Sequence, residues 1–265
     1  MQTNNKQDIL PISETLFIPL AARASEIKRD NPIIIDDKSV EIISSIDTSN
    51  MVIDGGEIST LGILSRTKVI DEEVNCILEK FPESIIINLG AGLDTRICRL
   101  DNGILNWYDL DLPEVISIRR RFFTENDRIH FISKSVLDKS WVNEIDIKES
   151  SNIIIIAEGL LMYFTEKEVT LILDILSNRF PEAHMFFDVL HSFFINKKIS
   201  STFLWGIDHA IDIEKLNDKA KLIQSWSTGN LLKERQSLFF RLFNFLSFTR
   251  NRSQILHLKF EKNDA

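Results

Sequence analysis

Four consecutive isoleucines at 153–156 form the most apolar segment of the chain. A short apolar run without alternation is typical of a strand that is buried on both faces of a parallel sheet. Further strands are predicted at 84–89, 104–110, 128–132, 183–190 and, as a last alternating segment, 254–260. Because helical patterns separate most of these strands, the sequence predicts a doubly wound, mostly parallel α/β sheet. A late strand is expected to close one edge of it.

The helical patterns also have recognisable ends. A helix is predicted over 62–81, where Pro82 follows, and Pro113 opens another helix in its first turn. Thr165 and Glu168 have the spacing of a capping box, which predicts the start of a helix that ends near residue 180. We therefore expect a helical N-terminal appendage over 1–60 and a main domain over 61–265. A helical lid is predicted at about 191–252, and the whole chain is expected to form one compact unit.

Charge and composition exclude several classes of protein. The 31 basic and 39 acidic residues give a net charge of −8, which disfavours binding to a phosphate backbone. No apolar run reaches the roughly 18–20 residues of a membrane helix, and the first residues lack the pattern of a signal peptide. Cys76 and Cys98 have neither disulfide-framework nor zinc-site spacing. We expect a cytoplasmic protein without a bound metal, a nucleic-acid partner or a membrane partner.

The first strand runs directly into the loop sequence GAGLDTR. In a doubly wound sheet, ligands bind beyond the carboxyl ends of the strands. Gly90 and Gly92 allow a tight turn and a close approach of the backbone to a ligand. The third glycine of a dinucleotide fingerprint is replaced by Thr95, which disfavours a pyrophosphate cofactor. A plain turn between a strand and a helix is the alternative interpretation.

Acidic residues follow two of the strands. Asp109 and Asp111 lie about 20 residues after the glycine loop, where a carboxylate accepts hydrogen bonds from ribose hydroxyls. Alternation places both on one face, and Asp111 is favoured because it lies nearer the carboxyl end; helix capping is its alternative role. Glu158 directly follows the isoleucine strand. Because burial of an unpaired carboxylate is costly, Glu158 is predicted to face a ligand cleft.

The segment after the third strand, SVLDKSW, offers a possible binding site for a nucleobase. Val136 and Leu137 are positioned to flank an adenine ring. Asp138 has two interpretations, as an acceptor for an exocyclic amine or as an exposed turn residue.

Taken in order, five segments resemble the leucine carboxyl methyltransferase family, and in particular its bacterial polyketide-type O-methyltransferase branch. They are SETLFIPLAARASE, INLGAGLDTR, YDLDLPEVI, SVLDKSW and AEGLLMYF. The resemblance spans about residues 13 to 260. It implies a class I, Rossmann-like methyltransferase fold and S-adenosylmethionine (SAM) as cofactor. It also implies methylation of a carboxylate, phenol or hydroxyl group on a small-molecule acceptor.

The resemblance also implies a set of residues that bind the cofactor: Gly90, Ala91 and Gly92 in the loop, Asp111 and Leu112 after the second strand, Val136 and Leu137 beside the adenine, and Glu158. Arg66 stands where relatives bind the methionine carboxylate, a task that suits a planar guanidinium. Arg23 is a second candidate for the cleft. Where Val136 stands, the eukaryotic protein-phosphatase members carry an acid, so that one adenine contact differs here.

Other functions share some of these features. An NAD-dependent oxidoreductase would use the same loop and ribose acid, but no histidine has an arrangement that connects it with the loop. A nucleic-acid methyltransferase would use the basic run 119–121 and the basic and aromatic segment 233–252. We interpret those arginines as a solvated edge and the phenylalanines as core or lid. A carboxyl methyltransferase that modifies protein or tRNA is a further alternative. A non-catalytic SAM-binding subunit is the last alternative, since methyl transfer requires few obligatory residues; we assign no catalytic base.

Overall fold

A computed structural model of the chain describes residues 16–47, 56–148, 151–195, 202–244 and 247–262. Within these residues, seven strands form one sheet in the order β3-β2-β1-β4-β5-β7-β6. The strands are β1 Ile85–Leu89, β2 Asn106–Asp111, β3 Ile129–Ser133, β4 Ile153–Ala157, β5 His184–Leu190, β6 Ala220–Ser227 and β7 Ser253–Phe260. Strands β1 to β5 are parallel, whereas β7 pairs antiparallel with both β5 and β6. The predicted doubly wound, mostly parallel sheet is confirmed.

Helices cover both faces of the sheet and one end of it. They are α1 Phe17–Glu26, α2 Asp37–Ser45, α3 Gly56–Leu78, α4 Ile97–Leu100, α5 Pro113–Arg119, α6 Glu166–Arg179, α7 Leu238–Phe243 and α8 Ser247–Arg250. Pro113 opens α5, and Thr165 and Glu168 form the predicted capping box of α6. Because α3 begins at Gly56, the predicted boundary at 60 falls inside a helix. The division into an appendage, a main domain and a lid stays a prediction.

The last third of the chain contains a strand that was not predicted from the sequence. The region 191–252, expected to be helical, contains strand β6, and this strand rather than β7 forms the edge of the sheet. Strand β6 carries Lys221, Gln224 and Ser225 and is fully buried at Ala220 alone, with an irregularity in its pairing between Leu222 and Gln224. A polar edge strand lacks the continuous apolar pattern by which buried strands are recognised.

The isoleucines of β4 alternate between the two faces of the sheet. Ile153 and Ile155 pack under α6, whereas Ile154 and Ile156 pack under α3. Full burial of each such side chain contributes about 1.5–3 kcal/mol relative to exposure. A third cluster, which includes Phe17 of α1 and Leu93 after β1, attaches the N-terminal helices to the glycine loop. The strand ends and α1 therefore meet at one edge of the sheet.

Candidate functional site

A cleft of about 600 Å³ opens at the carboxyl ends of β1, β2 and β4. This volume lies within the range of small-molecule sites. Apart from Val136 and Leu137, every residue predicted to bind a cofactor lines it: Arg23, Arg66, Gly90, Ala91, Gly92, Asp111, Leu112 and Glu158. Residues more than 130 positions apart in the sequence therefore meet in the place that strand topology predicts.

The glycine loop is held against β2 by its backbone. The amides of Gly90 and Ala91 both donate to the carbonyl of Leu110, at 2.8 and 3.1 Å. Gly90 and Gly92 have φ angles of +63° and +47°, which favour glycine. A Cβ atom on Gly90 would lie 2.6 Å from Cδ1 of Leu160. The loop needs glycine at this position both for its backbone conformation and for the close approach of Leu160.

Replacing Gly90 with alanine is expected to weaken binding of SAM, the ligand that the resemblance implies, and to lower the free energy of unfolding by about 1–3 kcal/mol. The reason is that the left-handed backbone is strained and Leu160 must move. Gly103→Ala is the matched control, since Gly103 has a φ of +84° but no atom within 4 Å of its added Cβ. Calorimetric titration with SAM and thermal unfolding measure both effects. Equal loss of SAM affinity in the two variants would contradict this explanation.

Asp111 and Asp109 occupy different environments at the end of β2. The Asp111 carboxylate accepts hydrogen bonds from the amides of Gly92 and Leu112, both at 2.7 Å, and lines the cleft. Burial raises its pKa, and the two amides partly oppose that shift. Asp109 is fully buried and accepts from Trp107, Asn88 and Arg119. The geometry therefore places Asp111 at the cleft and gives Asp109 a structural role below it.

Glu158 lies between two arginines at the end of β4. Arg66 Nε donates to Glu158 Oε1 at 2.8 Å, and the guanidinium of Arg96 pairs with the other carboxylate oxygen. Burial opposes ionisation of Glu158, but these two cations hold its pKa below the ordinary value. The carboxylate predicted to face a cleft does line it, and it is ionised there. It therefore holds the guanidinium groups of both arginines at the end of β4.

Two further residues take part in the ion pairs around Glu158 and Arg66, and neither was predicted from the sequence. Arg96 is fully buried and pairs with Asp71, Asp94 and Glu158, although it stands in the loop motif GAGLDTR. Asp188 of β5 accepts from Arg66 at 3.0 Å and from the amide of Gly159 at 2.5 Å. Asp188 is an acid inside the apolar strand HMFFDVL. Because an unpaired buried carboxylate is costly, its position in the sequence indicates a polar site, as it does for Glu158. That signal was present in the sequence.

The segment after β3 lies outside the lining of the cleft. Val136 is buried in the core beneath α6, and its carbonyl accepts a hydrogen bond from Trp141 Nε1 at 3.0 Å. Leu137 packs against the same cluster. The Asp138 carboxylate accepts a hydrogen bond from the amide of Ser140, as expected for an exposed turn residue. Contact of Val136 and Leu137 with an adenine ring stays a prediction.

The basic run 119–121 is divided between the core and the surface. Arg119 is fully buried, whereas Arg120 is exposed and pairs with Glu125. The Arg119 guanidinium donates to the carbonyls of Gly92 and Asp94 and lies 4.2 Å from the ring centre of Phe123. It supports the glycine loop from below, a role that the expectation of a solvated arginine edge missed.

The basic and aromatic segment 233–252 makes contacts within the protein. Arg252 lies over the Phe240 ring at 4.3 Å, and Arg235 pairs with Glu26. Phe240 is buried. Arg252, Arg235 and Phe240 therefore take part in contacts within the protein.

Over the described ranges, no helix is both long and apolar enough to cross a membrane. In the same part of the chain, no group of three or more histidine, cysteine or acidic residues could hold a metal ion. Cys76 and Cys98 are free and exposed.

Comparisons with known proteins identify the family of the chain. The chain matches the family described as leucine carboxyl methyltransferase over residues 17–177. It is 25% identical over 225 residues to the tetracenomycin polyketide synthesis O-methyltransferase TcmP of Streptomyces glaucescens, covering 82% of this chain and 83% of the relative. It is 28% identical over 263 residues to the SAM-dependent methyltransferase dpfgK of Gibberella zeae, covering 83% and 88%.

Solved structures share the fold. The N-methyltransferase NodS of Bradyrhizobium japonicum, in complex with S-adenosyl-L-homocysteine, has a TM-score of 0.50 at 10% identity and covers 92% of this chain and 100% of that one. A SAM-dependent methyltransferase described for Listeria monocytogenes has a TM-score of 0.50 at 13% identity, covering 72% and 96%. These likenesses support a class I methyltransferase fold. The family match extends over more than half of the chain, which therefore belongs to the leucine carboxyl methyltransferase family and is a SAM-dependent methyltransferase.

Proposed function

We propose that this protein transfers a methyl group from SAM to an oxygen atom of a small-molecule acceptor, either a carboxylate or a phenolic hydroxyl. The observation that carries the proposal is the cleft, in which the glycine loop and Asp111 lie together with an apolar wall. The similarity to the polyketide O-methyltransferase TcmP supports the class of acceptor. Its location is expected to be cytoplasmic.

The residues of the cleft fit SAM. Gly90 and Gly92 present backbone without a side chain to the cleft, and two backbone amides hold the Asp111 carboxylate, which we assign to the ribose hydroxyls. Arg23 and Arg66 supply positive charge for the methionine carboxylate. When bound, SAM supplies a methyl group that is already activated on a sulfonium.

The remaining lining is suited to an apolar acceptor. Ile18, Pro19 and Ile63 contribute aliphatic surface, and the rings of Tyr163 and Phe203 meet edge to face with centroids 5.4 Å apart. Such a wall excludes water and aligns the acceptor oxygen, which are the main contributions a protein makes to this displacement. A carboxylate acceptor is ionised at pH 7 and needs no general base, whereas a phenol with a pKa near 10 gains from one.

The direct test is calorimetric titration with SAM, its demethylated product and NAD, followed by methyl transfer from labelled SAM to a panel of aromatic acids and phenols. We expect both sulfur-containing ligands to bind, no binding of NAD, and labelled product with at least one acceptor. Binding of NAD without SAM would favour the oxidoreductase. Tight SAM binding without transfer to any acceptor would favour a non-catalytic subunit, and transfer only to protein or RNA would overturn the small-molecule proposal.

Asp111→Asn keeps the shape of the side chain but removes its charge. It is expected to weaken the binding of SAM and of its demethylated product equally, by roughly 1.5–3 kcal/mol, because both carry the same ribose. Asp127→Asn is the control, since Asp127 is exposed and does not line the cleft. Dissociation constants from calorimetry provide the measurement. Loss of SAM affinity alone would assign Asp111 to the sulfonium end of the ligand instead.

A further inference from the structure

Asp36 joins three parts of the chain through one carboxylate. It is 2% exposed and caps α2 by accepting from the Ser39 amide at 3.0 Å. Its second oxygen accepts from Arg23 Nε at 2.9 Å, from Arg99 at 2.9 Å and from the Thr95 hydroxyl at 2.5 Å. Asp36 therefore connects α1 and α2 to the helix that follows the glycine loop.

Asp36 is a fixed negative charge. Burial opposes its ionisation, but the guanidinium groups of Arg23 and Arg99 and the hydroxyls of Ser39 and Thr95 hold its pKa below the ordinary value. A charge so fully paired orients its partners, because displacing any of them leaves a buried charge poorly compensated.

Arg23 is the partner that reaches the cleft. Its side chain is 3% exposed and lines the cleft, and its Nε is engaged by Asp36. Among the residues that the structure describes, neither terminal nitrogen of its guanidinium has a hydrogen-bond partner. The two terminal nitrogens of a guanidinium can bind a carboxylate through two parallel hydrogen bonds, and in Arg23 both are therefore available to a ligand.

Arg66, the other arginine of the cleft, is more fully engaged. Its Nε pairs with Glu158 and one terminal nitrogen pairs with Asp188. Two of the three guanidinium nitrogens of Arg66 are therefore engaged by carboxylates, whereas Asp36 engages only Nε of Arg23. Within the described residues, Arg23 therefore offers both terminal nitrogens to an incoming carboxylate, whereas Arg66 offers one.

Thr95 explains why Asp36 is coupled to the loop. It stands where a dinucleotide loop carries its third glycine, and it is fully buried. Its hydroxyl donates to Asp36. The position at which the loop departs from the dinucleotide pattern is thus used to fix the residue that orients Arg23.

We propose that Asp36 is a positioning residue of the methyl-transfer site, which holds the Arg23 guanidinium so that it binds the carboxylate of the SAM methionine group. This inference rests on the proposed function, because it takes SAM as the ligand of the cleft. Asp36 acts through Arg23 and touches no ligand itself.

The test compares two ligands by calorimetry. S-adenosylhomocysteine carries the amino-acid carboxylate, whereas 5′-methylthioadenosine has the same adenosine without it. Asp36→Asn is expected to weaken binding of S-adenosylhomocysteine roughly tenfold or more while changing the affinity for 5′-methylthioadenosine little. Ser39→Ala is the matched control, since it removes a bond to the same carboxylate but keeps both the charge and the Arg23 pair. It should preserve the preference for S-adenosylhomocysteine.

Equal weakening of both ligands in Asp36→Asn would show a merely structural role, and unchanged binding of both would also overturn the inference. If the wild type bound neither ligand, the proposed function would fail first, so the two failures are distinguishable. If Asp36→Asn does not fold, Arg23→Lys replaces it. A lysine has one cationic nitrogen, whose N–H bonds are not parallel, so it cannot pair with Asp36 and also offer a planar pair of donors to a carboxylate. Full retention of the preference for S-adenosylhomocysteine in Arg23→Lys would overturn the proposal.

Discussion

Replacing Arg119 with methionine is expected to lower the free energy of unfolding by about 3–5 kcal/mol, the cost of breaking a buried ion pair from one side. The substitution leaves the Asp109 carboxylate fully buried beside Trp107 and Asn88, and it removes the donor to the Gly92 carbonyl. Chemical denaturation measures the stability. Because Arg119 supports the glycine loop, we also expect weaker SAM binding in the folded fraction.

Arg120→Met is the matched control, since Arg120 is the next residue and forms an exposed pair with Glu125. It should change stability by less than about 1 kcal/mol. Combining Arg119→Met with Asp109→Asn should recover part of the loss, because the orphaned charge is then removed. A loss in the double variant equal to the sum of the two single losses would show that the pair is not coupled.

Arg96→Met is expected to have an effect of similar size, about 3–5 kcal/mol at neutral pH. Arg96 is fully buried and pairs with three carboxylates, those of Asp71, Asp94 and Glu158. Without the Arg96 guanidinium, the three carboxylates remain close together and repel one another with less positive charge to offset them. Denaturation at several pH values measures the loss.

The pH dependence of this loss has a defined sign. In the wild type, burial opposes the ionisation of Asp94 and Glu158, but arginines hold both pKa values below their ordinary values. That contribution to stability is present above the pKa values of the unfolded chain and is lost as the pH falls. Without Arg96 both folded pKa values rise, so the deficit of the variant should grow as the pH increases from acidic to neutral. A deficit independent of pH would contradict this account. Arg128→Met, at a partly exposed pair with Asp101, is the control.

Part of the site could be derived from single segments of sequence. The glycine loop follows from two glycines after a buried strand, and Glu158 follows from an acid placed directly after four isoleucines. Asp111 was separated from Asp109 by its position nearer the strand end. These inferences use the alternation of side chains along a strand and the cost of burying a charge in an apolar segment. Both can be judged from the residues that are adjacent in the sequence.

Errors arose where the surroundings decide the role of a residue. Arg119 and Arg120 are adjacent and chemically identical, yet one is fully buried and the other exposed. Strand β6 is stabilised by pairing with β7, a partner contributed by a later part of the chain, and not by an apolar pattern of its own.

The sequence by itself determined the mostly parallel sheet and the edge at which the cleft opens, because hydrophobic periodicity is a local property and strand ends gather at one edge. Only the tertiary structure decided which charges pair there. Arg66 pairs with Glu158, which is 92 positions later in the sequence, and with Asp188, which is 122 positions later. Asp36 is hydrogen-bonded to Thr95 across 59 positions. Packing of the helices on the sheet brings these groups together, and the low dielectric of the buried site makes their pairing obligatory.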